Sequence, residues 1–339
     1  MKKRKSGTVR RTSVKKRKPV MRHSRETRRG GSRRRSGSSE TRPLAIGVAE
    51  SSRRLKILVT GGTGTVGSRV ARELLARGAD VTILTRDLSK AKALVPEIRA
   101  FEGDLLDPVK IRSAFAGMDG LFLLNALGTS ETHEGLMAVN GALLSGIRRI
   151  AYLSVHRVDE ASHLPHFGSK IAVETALRAS GIPSALLRAS NYFQNDYWYK
   201  DVMLGFGIYP QPLGDVGVSR VDVRDIAEAA AITLLSGADG IFNIVGPEPQ
   251  TGKSTAAIWA KALGKAVAYG GNDLDAWEKQ AAQMLPPWLA FDLRLMYAHF
   301  GQNGLLATAA DVKRLTKLLG HPPRRFEDFA AETARAWRS

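Results

Sequence analysis

The fold of this 339-residue chain is predicted by one stretch, Lys56-Ile-Leu-Val-Thr-Gly-Gly-Thr-Gly-Thr-Val-Gly67. The apolar run Ile57–Val59 leads into glycines spaced G-x-x-G-x-x-G at Gly61, Gly64 and Gly67, and a helical pattern follows. Glycines at this spacing let a backbone turn sharply after a strand, approach a phosphate closely and pack the next helix against the strand. The stretch therefore predicts the first strand, turn and helix of a nucleotide-binding domain.

Apolar, strand-like runs recur along the chain with helical segments between them. After the run at 55–60 they fall at 81–85, 98–102, 119–124, 149–154, 182–188 and 240–245. Alternation at this spacing indicates parallel strands joined by helical crossovers. We therefore expect an α/β fold, a Rossmann-like doubly wound parallel sheet, with a smaller C-terminal α/β substrate region. The expected division is an NAD(P)-binding domain at 55–190 and a substrate-covering region at 191–339, interleaved with the sheet.

Residues 1–54 differ sharply in composition from the rest of the chain. They carry 20 Lys and Arg against three Glu, so most of the net charge of +19 falls in them. Few apolar side chains are present to offset the entropy of ordering, which predicts a disordered basic tail. Three interpretations stay open: an arm that contacts nucleic acid or anionic surfaces, an Arg- and Ser-rich targeting peptide, or upstream sequence from a misplaced start codon.

The composition excludes several classes of site. There is no cysteine, so disulfides, thiolate nucleophiles and cysteine-based metal sites are ruled out. No apolar run reaches the roughly 18 residues of a membrane span, and Sec-type export is not supported either. No His, Asp and Glu grouping has metal-ligand spacing, so no metal is expected. The predicted location is cytoplasmic, and nucleic-acid contact is expected only through the basic tail.

The residues after the second and third strands bear on which dinucleotide is bound. The second strand ends at Thr85, and Arg86 and Asp87 follow. A cation at this point accommodates the 2′-phosphate of NADP, whereas a carboxylate accepts from the 2′-hydroxyl of NAD. Because Arg86 comes first, NADP(H) is favoured, with NAD(H) or a mere surface arginine as alternatives. Asp104, after the third strand, is placed either to bind the adenine amino group or to cap the helix that begins near Pro108.

The chain resembles the NmrA-like group of atypical short-chain dehydrogenase/reductases over about residues 55–338. The resemblance rests on Val59-Thr-Gly-Gly-Thr-Gly-Thr-Val-Gly67, Leu187-Arg-Ala-Ser-Asn-Tyr-Phe-Gln-Asn195, Val221-Asp-Val-Arg-Asp-Ile-Ala227 and Leu319-Gly-His-Pro-Pro-Arg-Arg-Phe-Glu-Asp-Phe329. This group includes NAD(P)H-dependent quinone and azo-dye reductases and cofactor-sensing regulators.

The resemblance implies which residues meet the cofactor. The glycine segment is expected to bind the dinucleotide through Gly61, Thr63, Gly64, Thr65, Val66 and Gly67. In the group, the segment that ends at Asn195 lies beside the nicotinamide, which implicates Asn191, Phe193 and Asn195. The Val221–Ala227 segment is expected to be structural and to support the pocket from below.

The parent fold of this group also implies a catalytic set. It uses a serine after the fifth strand and a Tyr-x-x-x-Lys pair on the next helix, where the tyrosine moves a proton and the lysine binds the nicotinamide ribose. This chain has Ser154 and then His166-Phe-Gly-Ser-Lys170, with His166 and Lys170 on one helical face. We expect Lys170 to bind the ribose. His166 is either a proton donor, since imidazole titrates near neutral pH, or a helix-entry histidine, and Ser154 either binds a substrate oxygen or caps its strand.

The missing tyrosine bears on the reaction. Alcohol and ketone chemistry needs a strong proton partner, whereas hydride delivery to an electron-poor acceptor leaves a stabilised anion. The leading prediction is an NAD(P)H-dependent oxidoreductase that transfers hydride to a quinone-like or other conjugated small-molecule acceptor. The aromatic residues of 192–199 either form a flat wall for such an acceptor or belong to the core. The alternative function is a non-catalytic NAD(P)-binding redox sensor that acts through a protein partner.

Overall fold

The computed structural model describes residues 53–94 and 96–338, so the predicted basic tail lies outside the described residues except for Arg53 and Arg54. The strands of the described part are β1 (Lys56–Val59), β2 (Asp80–Thr85), β3 (Arg99–Glu102), β4 (Gly120–Leu123), β5 (Arg149–Val155), β6 (Ser184–Ala189), β7 (Ile208–Tyr209), β8 (Gly240–Ile244) and β9 (Ala268–Tyr269). The helices are α1 (Thr65–Ala76), α2 (Leu88–Leu94), α3 (Pro108–Phe115), α4 (Glu131–Leu144), α5 (Pro165–Ser180), α6 (Lys200–Phe206), α7 (Val223–Ser236), α8 (Gly252–Leu263), α9 (Leu274–Ala281), α10 (Pro287–Asn303), α11 (Ala309–Leu319) and α12 (Phe326–Arg338). Two 3₁₀ helices span Val158–Glu160 and Phe193–Tyr199.

Seven parallel strands form the main sheet in the order β3-β2-β1-β4-β5-β6-β8. The strand order reverses between β1 and β4, because the chain returns from β3 at one edge to the other side of β1. This is the doubly wound arrangement, and the predicted fold class is confirmed. Every predicted strand of the sheet is present with its ends within two residues of the expected ones. β7 and β9 pair separately as a small parallel sheet.

The apolar runs of the central strands are buried because helices cover both faces of the sheet. Alternate residues of β1 point to opposite faces, as the period of a strand requires. Ile57 and Val59 pack in a core that includes side chains of α1 and α7. Leu58 packs in a second core with side chains of α3, α4 and α5. The side chains of Ile57, Leu58 and Val59 are all fully buried.

The second half of the chain contributes both to the sheet and to a separate apolar cluster. It supplies β8 at the edge of the sheet, and a third core gathers side chains of α8, α10 and α12. The division at residue 190 stays a prediction. Among the described residues, no helix combines the length and apolarity needed to cross a membrane.

Candidate active site

The turn after β1 is built from contacts that only glycine allows. Gly61 adopts φ +63°, and a Cβ on Gly67 would lie 2.2 Å from the carbonyl oxygen of Gly61. The N–H of Gly64 donates to that same oxygen at 2.9 Å. Gly64 is also the N-cap of α1, where no side chain accepts from the first turn. The N–H groups at the positive end of α1 are therefore available to an anion such as a pyrophosphate.

Two cavities open at the carboxyl edge of the sheet, on either side of the strand reversal. The smaller, here called the turn cavity, has a volume of about 270 Å³ and is lined by the glycine turn, including Thr63, and by the ends of β2 and β3. The larger, the aromatic cavity, has a volume of about 450 Å³ and lies between the ends of β5 and β6, the start of α5, the second 3₁₀ helix and α10. Thr65 and Val66 belong to its wall. Leu124 and Asn125 line both cavities, which together cross the point where dinucleotides bind in doubly wound sheets.

Arg86 and Asp104 both line the turn cavity, with Arg86 Nη1 3.8 Å from Asp104 Oδ2. Asp87 is engaged elsewhere, because its carboxylate accepts from the Ser89 hydroxyl and the Lys90 N–H at the start of α2. These hydrogen bonds hold the pKa of Asp87 below its ordinary value. Asp87 is thus turned to α2, whereas the Arg86 side chain lines the turn cavity and is 74% exposed.

Asp104 does not cap the helix that follows β3, so that alternative is wrong. The N-cap of α3 is Asp107, whose side chain accepts from the N–H groups of Val109 and Lys110. Asp107 directly precedes Pro108, which occupies the first helical position where proline is favoured. The Asp104 carboxylate instead accepts from the N–H of Leu106, within the loop.

Asn125 is a buried amide without a protein partner. Its side chain is 3% exposed, and neither Oδ1 nor Nδ2 makes a hydrogen bond to any described residue. An unsatisfied buried amide costs about 1 to 3 kcal/mol, so such a group calls for an explanation. Because Asn125 lies in the wall shared by both cavities, a dinucleotide spanning them would offer it both a donor and an acceptor. Sequence analysis missed Asn125, whose one signal was its position just after the fourth strand.

Lys170 and His166 lie in the first turns of α5, and both line the aromatic cavity. The Lys170 side chain is buried, its Nζ contacts the carboxylate of Glu131, and it lies 5.8 Å from the centroid of the Tyr152 ring. His166 Nδ1 lies 3.7 Å from Glu131 Oε2. Glu131, His166 and Lys170 form what we call the Glu131 cluster. Burial by itself raises the pKa of Glu131, but His166 and Lys170 outweigh it and hold the pKa below its usual value.

Glu131 was also missed by sequence analysis. It is the first residue of α4, and a glutamate in a first helical turn is ordinarily explained by the helix dipole. Its burial and its contact with α5 follow from the packing of α4 against that helix. Tyr152 does not replace the missing catalytic tyrosine, since its side chain is fully buried and burial raises its pKa well above the ordinary value.

Ser154 near the end of β5, Asn191 just after β6 and Asn195 in the second 3₁₀ helix line the aromatic cavity. The Ser154 hydroxyl donates to Glu174 Oε1 at 2.6 Å, which fixes its orientation. Asn191 Oδ1 accepts from Arg220 Nε at 3.1 Å. These contacts anchor two of the predicted site residues from behind while they face the cavity.

The aromatic segment 192–199 divides between cavity and core. Tyr192, Trp198 and Tyr199 line the aromatic cavity, and Trp198 is 65% exposed. Phe193 is fully buried, and its ring packs on Phe326. The structure thus does not place Phe193 in the cavity wall beside a nicotinamide, because the 3₁₀ helix that begins at this residue directs its ring into the third core.

A second buried ionic cluster, the Asp196 cluster, lies beneath this aromatic wall. Asp196 and Arg220 are both fully buried and pair at 2.6 Å. The Asp196 carboxylate also accepts from Trp259 Nε1 at 2.8 Å and from the Tyr209 hydroxyl at 3.1 Å. Burial alone would lower the pKa of Arg220, but the adjacent carboxylate raises it above the ordinary value.

One further group of possible metal ligands comes together between α7 and the loop before α12. Asp225, Glu228 and His321 place one ligand atom each within 4.8 Å of one another. Arg324 donates to both carboxylates, and His321 Nε2 lies 2.7 Å from Glu228 Oε2. Each of the four carboxylate oxygens therefore has a protein partner, so this group is an ion-pair network.

Comparison with known proteins is consistent with this geometry. Residues 53–330 match the NmrA-like family. The chain is 28% identical over 287 residues to an NAD(P)H azoreductase of Xenophilus azovorans, covering 83% of this chain and 99% of that protein. It is 29% identical over 284 residues to a (4-alkanoyl-5-oxo-2,5-dihydrofuran-3-yl)methyl phosphate reductase of Streptomyces griseus, with 83% and 99% covered. A solved NADPH-dependent quinone oxidoreductase of Escherichia coli, in complex with NADPH, matches with a TM-score of 0.73 at 27% identity, covering 84% of this chain and 100% of that one.

Proposed function

The chain belongs to the NmrA-like family, and on that basis we propose that it is an NADPH-dependent reductase of quinone-like or other conjugated small molecules. The observation that carries the proposal is that the turn cavity and the aromatic cavity lie on either side of the strand reversal and share Leu124 and Asn125 in their walls. The first is lined by glycine backbone and an exposed arginine, and the second by aromatic rings and the Glu131 cluster. The azoreductase and the phosphate reductase cited above, each matched over 99% of its own length, are named as reductases.

The residues of both cavities fit NADP(H). The glycine turn and the start of α1 would hold the pyrophosphate, and Arg86 would meet the 2′-phosphate. Asn125, whose amide has no partner among the described residues, would bind where the two cavities join. Lys170 would hold the nicotinamide ribose from the floor of the aromatic cavity.

When bound, NADPH supplies a hydride from C4 of its nicotinamide ring. The protein's part is to orient the two reactants and to exclude water from between them. The aromatic cavity is suited to a flat apolar acceptor, since Tyr192, Trp198 and Tyr199 present rings to it. A conjugated acceptor that has taken up a hydride is a stabilised anion, so it needs only a modest proton donor.

The rival function, a non-catalytic NAD(P) sensor with a protein partner, is less well supported. A sensor requires the turn cavity and Arg86, but it has no need of a second cavity of about 450 Å³ with ionisable groups in its wall. The two curated relatives cited above, each matched over 99% of its own length and 83% of this chain, are reductases by name.

The proposal is tested by titrating the purified protein with NADPH and NADH and then adding a panel of quinones and azo dyes. A reductase binds NADPH more tightly than NADH and oxidises it only when an acceptor is present. Binding without turnover for any acceptor would favour the sensor. Failure to bind either cofactor would contradict our interpretation of the glycine turn.

Replacement of Lys170 separates the two functions further. In a reductase, Lys170→Ala misplaces the nicotinamide and should lower kcat/KM about 100-fold. In a sensor it should reduce cofactor affinity only modestly. Lys253→Ala is the matched control, because Lys253 is an exposed lysine of α8 that pairs with Asp215 and lies outside both cavities. An equal effect of the two substitutions would exclude Lys170 from the site.

A further inference from the structure

The Glu131 cluster contains more charge than orientation of a ribose requires. One carboxylate from the first turn of α4 faces two basic side chains of α5, and all three line the aromatic cavity. Lys170 and Glu131 are each less than a tenth exposed, so their interaction is only weakly screened by solvent. Holding a carboxylate in such a place is costly unless it is paired.

Three charged groups lie around His166. Two come from the helices packed against α5, and the third comes from α5 itself. Glu131 lies on α4 and Lys170 on α5, and the Asp292 carboxylate of α10 accepts from the His166 backbone N–H at 3.3 Å. Two carboxylates and one ammonium make the surroundings of the imidazole net negative. Removal of the Glu131 charge would make those surroundings neutral.

The orientation of the ring fits the same interpretation. Nδ1 of His166 is buried, faces Glu131 and makes no hydrogen bond to a described residue. Since Nδ1 faces the carboxylate, Nε2 is the ring nitrogen left for a molecule in the aromatic cavity, whose wall His166 helps to form.

We propose that Glu131 is a positioning residue that faces Nδ1 of His166 and directs the ring into the cavity, so that Nε2 of His166 delivers the proton that completes reduction of the acceptor. This rests on the proposed function. A hydride adds to the acceptor with the electron pair of the nicotinamide C4–H bond, leaving an anionic oxygen or nitrogen on the acceptor and an oxidised nicotinamide. The Nε2–H bond of His166 then breaks, its proton passes to that anion, and the imidazole regains a proton from solvent.

The test is the pH dependence of kcat with NADPH and a soluble naphthoquinone, in the wild type and in Glu131→Gln. This substitution keeps the shape of the side chain and removes its charge, which leaves Lys170 and Asp292 as the charged groups around the imidazole. Activity that needs protonated His166 falls as the pH rises. We expect the midpoint of that fall to move to lower pH by about one unit in Glu131→Gln. At pH values above the midpoint, kcat of the variant should be about tenfold lower than that of the wild type.

Two further variants distinguish positioning from a structural effect. In a His166→Gln background, Glu131→Gln should cause no additional shift of the pH profile, and Glu131→Asp should restore part of the wild-type midpoint. Asp225→Asn is the matched control, because it also removes a buried, paired carboxylate but lies on α7 outside both cavities. It should leave the midpoint where it is in the wild type.

A second readout does not depend on turnover. The imidazole of His166 can be titrated by NMR in the protein without cofactor, where Glu131→Gln should move its midpoint in the same direction. An unchanged midpoint in both experiments, with the wild type active, would overturn the role of Glu131 and leave the proposed function standing. If no acceptor is reduced by the wild type, the proposed function fails, and the NMR titration still decides whether Glu131 governs His166.

Discussion

The Asp196 cluster and the Glu131 cluster are both buried ionic groups, yet their hydrogen bonding differs. In the first, the carboxylate accepts from Arg220, Trp259 and Tyr209, and Arg220 donates in addition to Asn191 and the Tyr192 carbonyl. In the second, His166 Nδ1 makes no hydrogen bond to the described residues, and neither does the adjoining amide of Asn125.

The difference indicates which cluster serves folding and which serves a ligand. A buried polar network in which every group is satisfied rigidifies the structure around it. The Asp196 cluster in this way supports the 3₁₀ helix that carries Trp198 and Tyr199. Buried polar groups left without partners carry an energetic cost that a bound molecule can remove. The His166 ring and the Asn125 amide both line the aromatic cavity, which is proposed to hold the nicotinamide and the acceptor.

The largest effect is expected from breaking the satisfied cluster. Asp196→Asn leaves the fully buried Arg220 without its counterion, and removal of one partner of a buried pair costs about 3 to 5 kcal/mol. The free energy of unfolding, measured with urea, should fall by that amount. The folded fraction should still bind NADPH, since Asp196 lines neither cavity.

Asp215→Asn is the control for this loss. Its pair with Lys253 is exposed on both sides, and such pairs contribute about 0 to 1 kcal/mol. Equal stability losses for the two variants would mean that the Asp196 cluster does not have the structural role assigned to it.

The next largest effect concerns the exposed cation of the turn cavity. Arg86→Ala should weaken NADPH binding about tenfold and leave NADH binding nearly unchanged, because only NADPH carries the 2′-phosphate. Isothermal calorimetry with both cofactors measures this. Arg77→Ala, at an exposed ion pair at the end of α1, serves as the control. Parallel losses for NADPH and NADH would show that Arg86 does not read the phosphate.

A smaller effect with a distinctive sign is expected at Asn125. Replacing an unsatisfied buried amide with an apolar group of similar size, as in Asn125→Leu, should leave the stability of the cofactor-free protein unchanged or slightly increased. The same substitution should weaken NADPH binding about fivefold to tenfold, the loss of about one hydrogen-bonding group. A loss of stability without a loss of affinity would contradict the role of Asn125 at the junction of the cavities.

The smallest effect concerns stability at acid pH. The pKa of Glu131 is lowered by folding from a reference value of 4.5, so its ionised form contributes stability above that value and the contribution is lost as the pH falls through the lowered pKa. The stability difference between the wild type and Glu131→Gln should therefore narrow between about pH 6 and about pH 3. Burial raises the pKa of Asp225 instead, so Asp225→Asn should show the opposite trend in urea unfolding across that range.

Local patterns in the sequence were sufficient for the framework and for part of the site. The glycine spacing, the apolar runs and the four-residue spacing of His166 and Lys170 are set by neighbours in the chain, and all three features are found in the structure as expected. Asp104 as a helix cap and Phe193 as a cavity residue were not, because the competing Asp107 and the turn of a 3₁₀ helix decide where those side chains lie.

The sequence by itself determined the doubly wound sheet, the glycine turn, the cation that follows β2 and the basic pair on α5, since each depends on residue type and short-range spacing. Only the tertiary structure revealed Glu131 beside that pair, Asn125 without a partner and the satisfied Asp196 cluster. The order of the strands brings loops that are distant in the chain to one edge of the sheet, and the packing of α4 against α5 selects which of their side chains meet. Contacts of this kind leave no periodic trace in a single sequence.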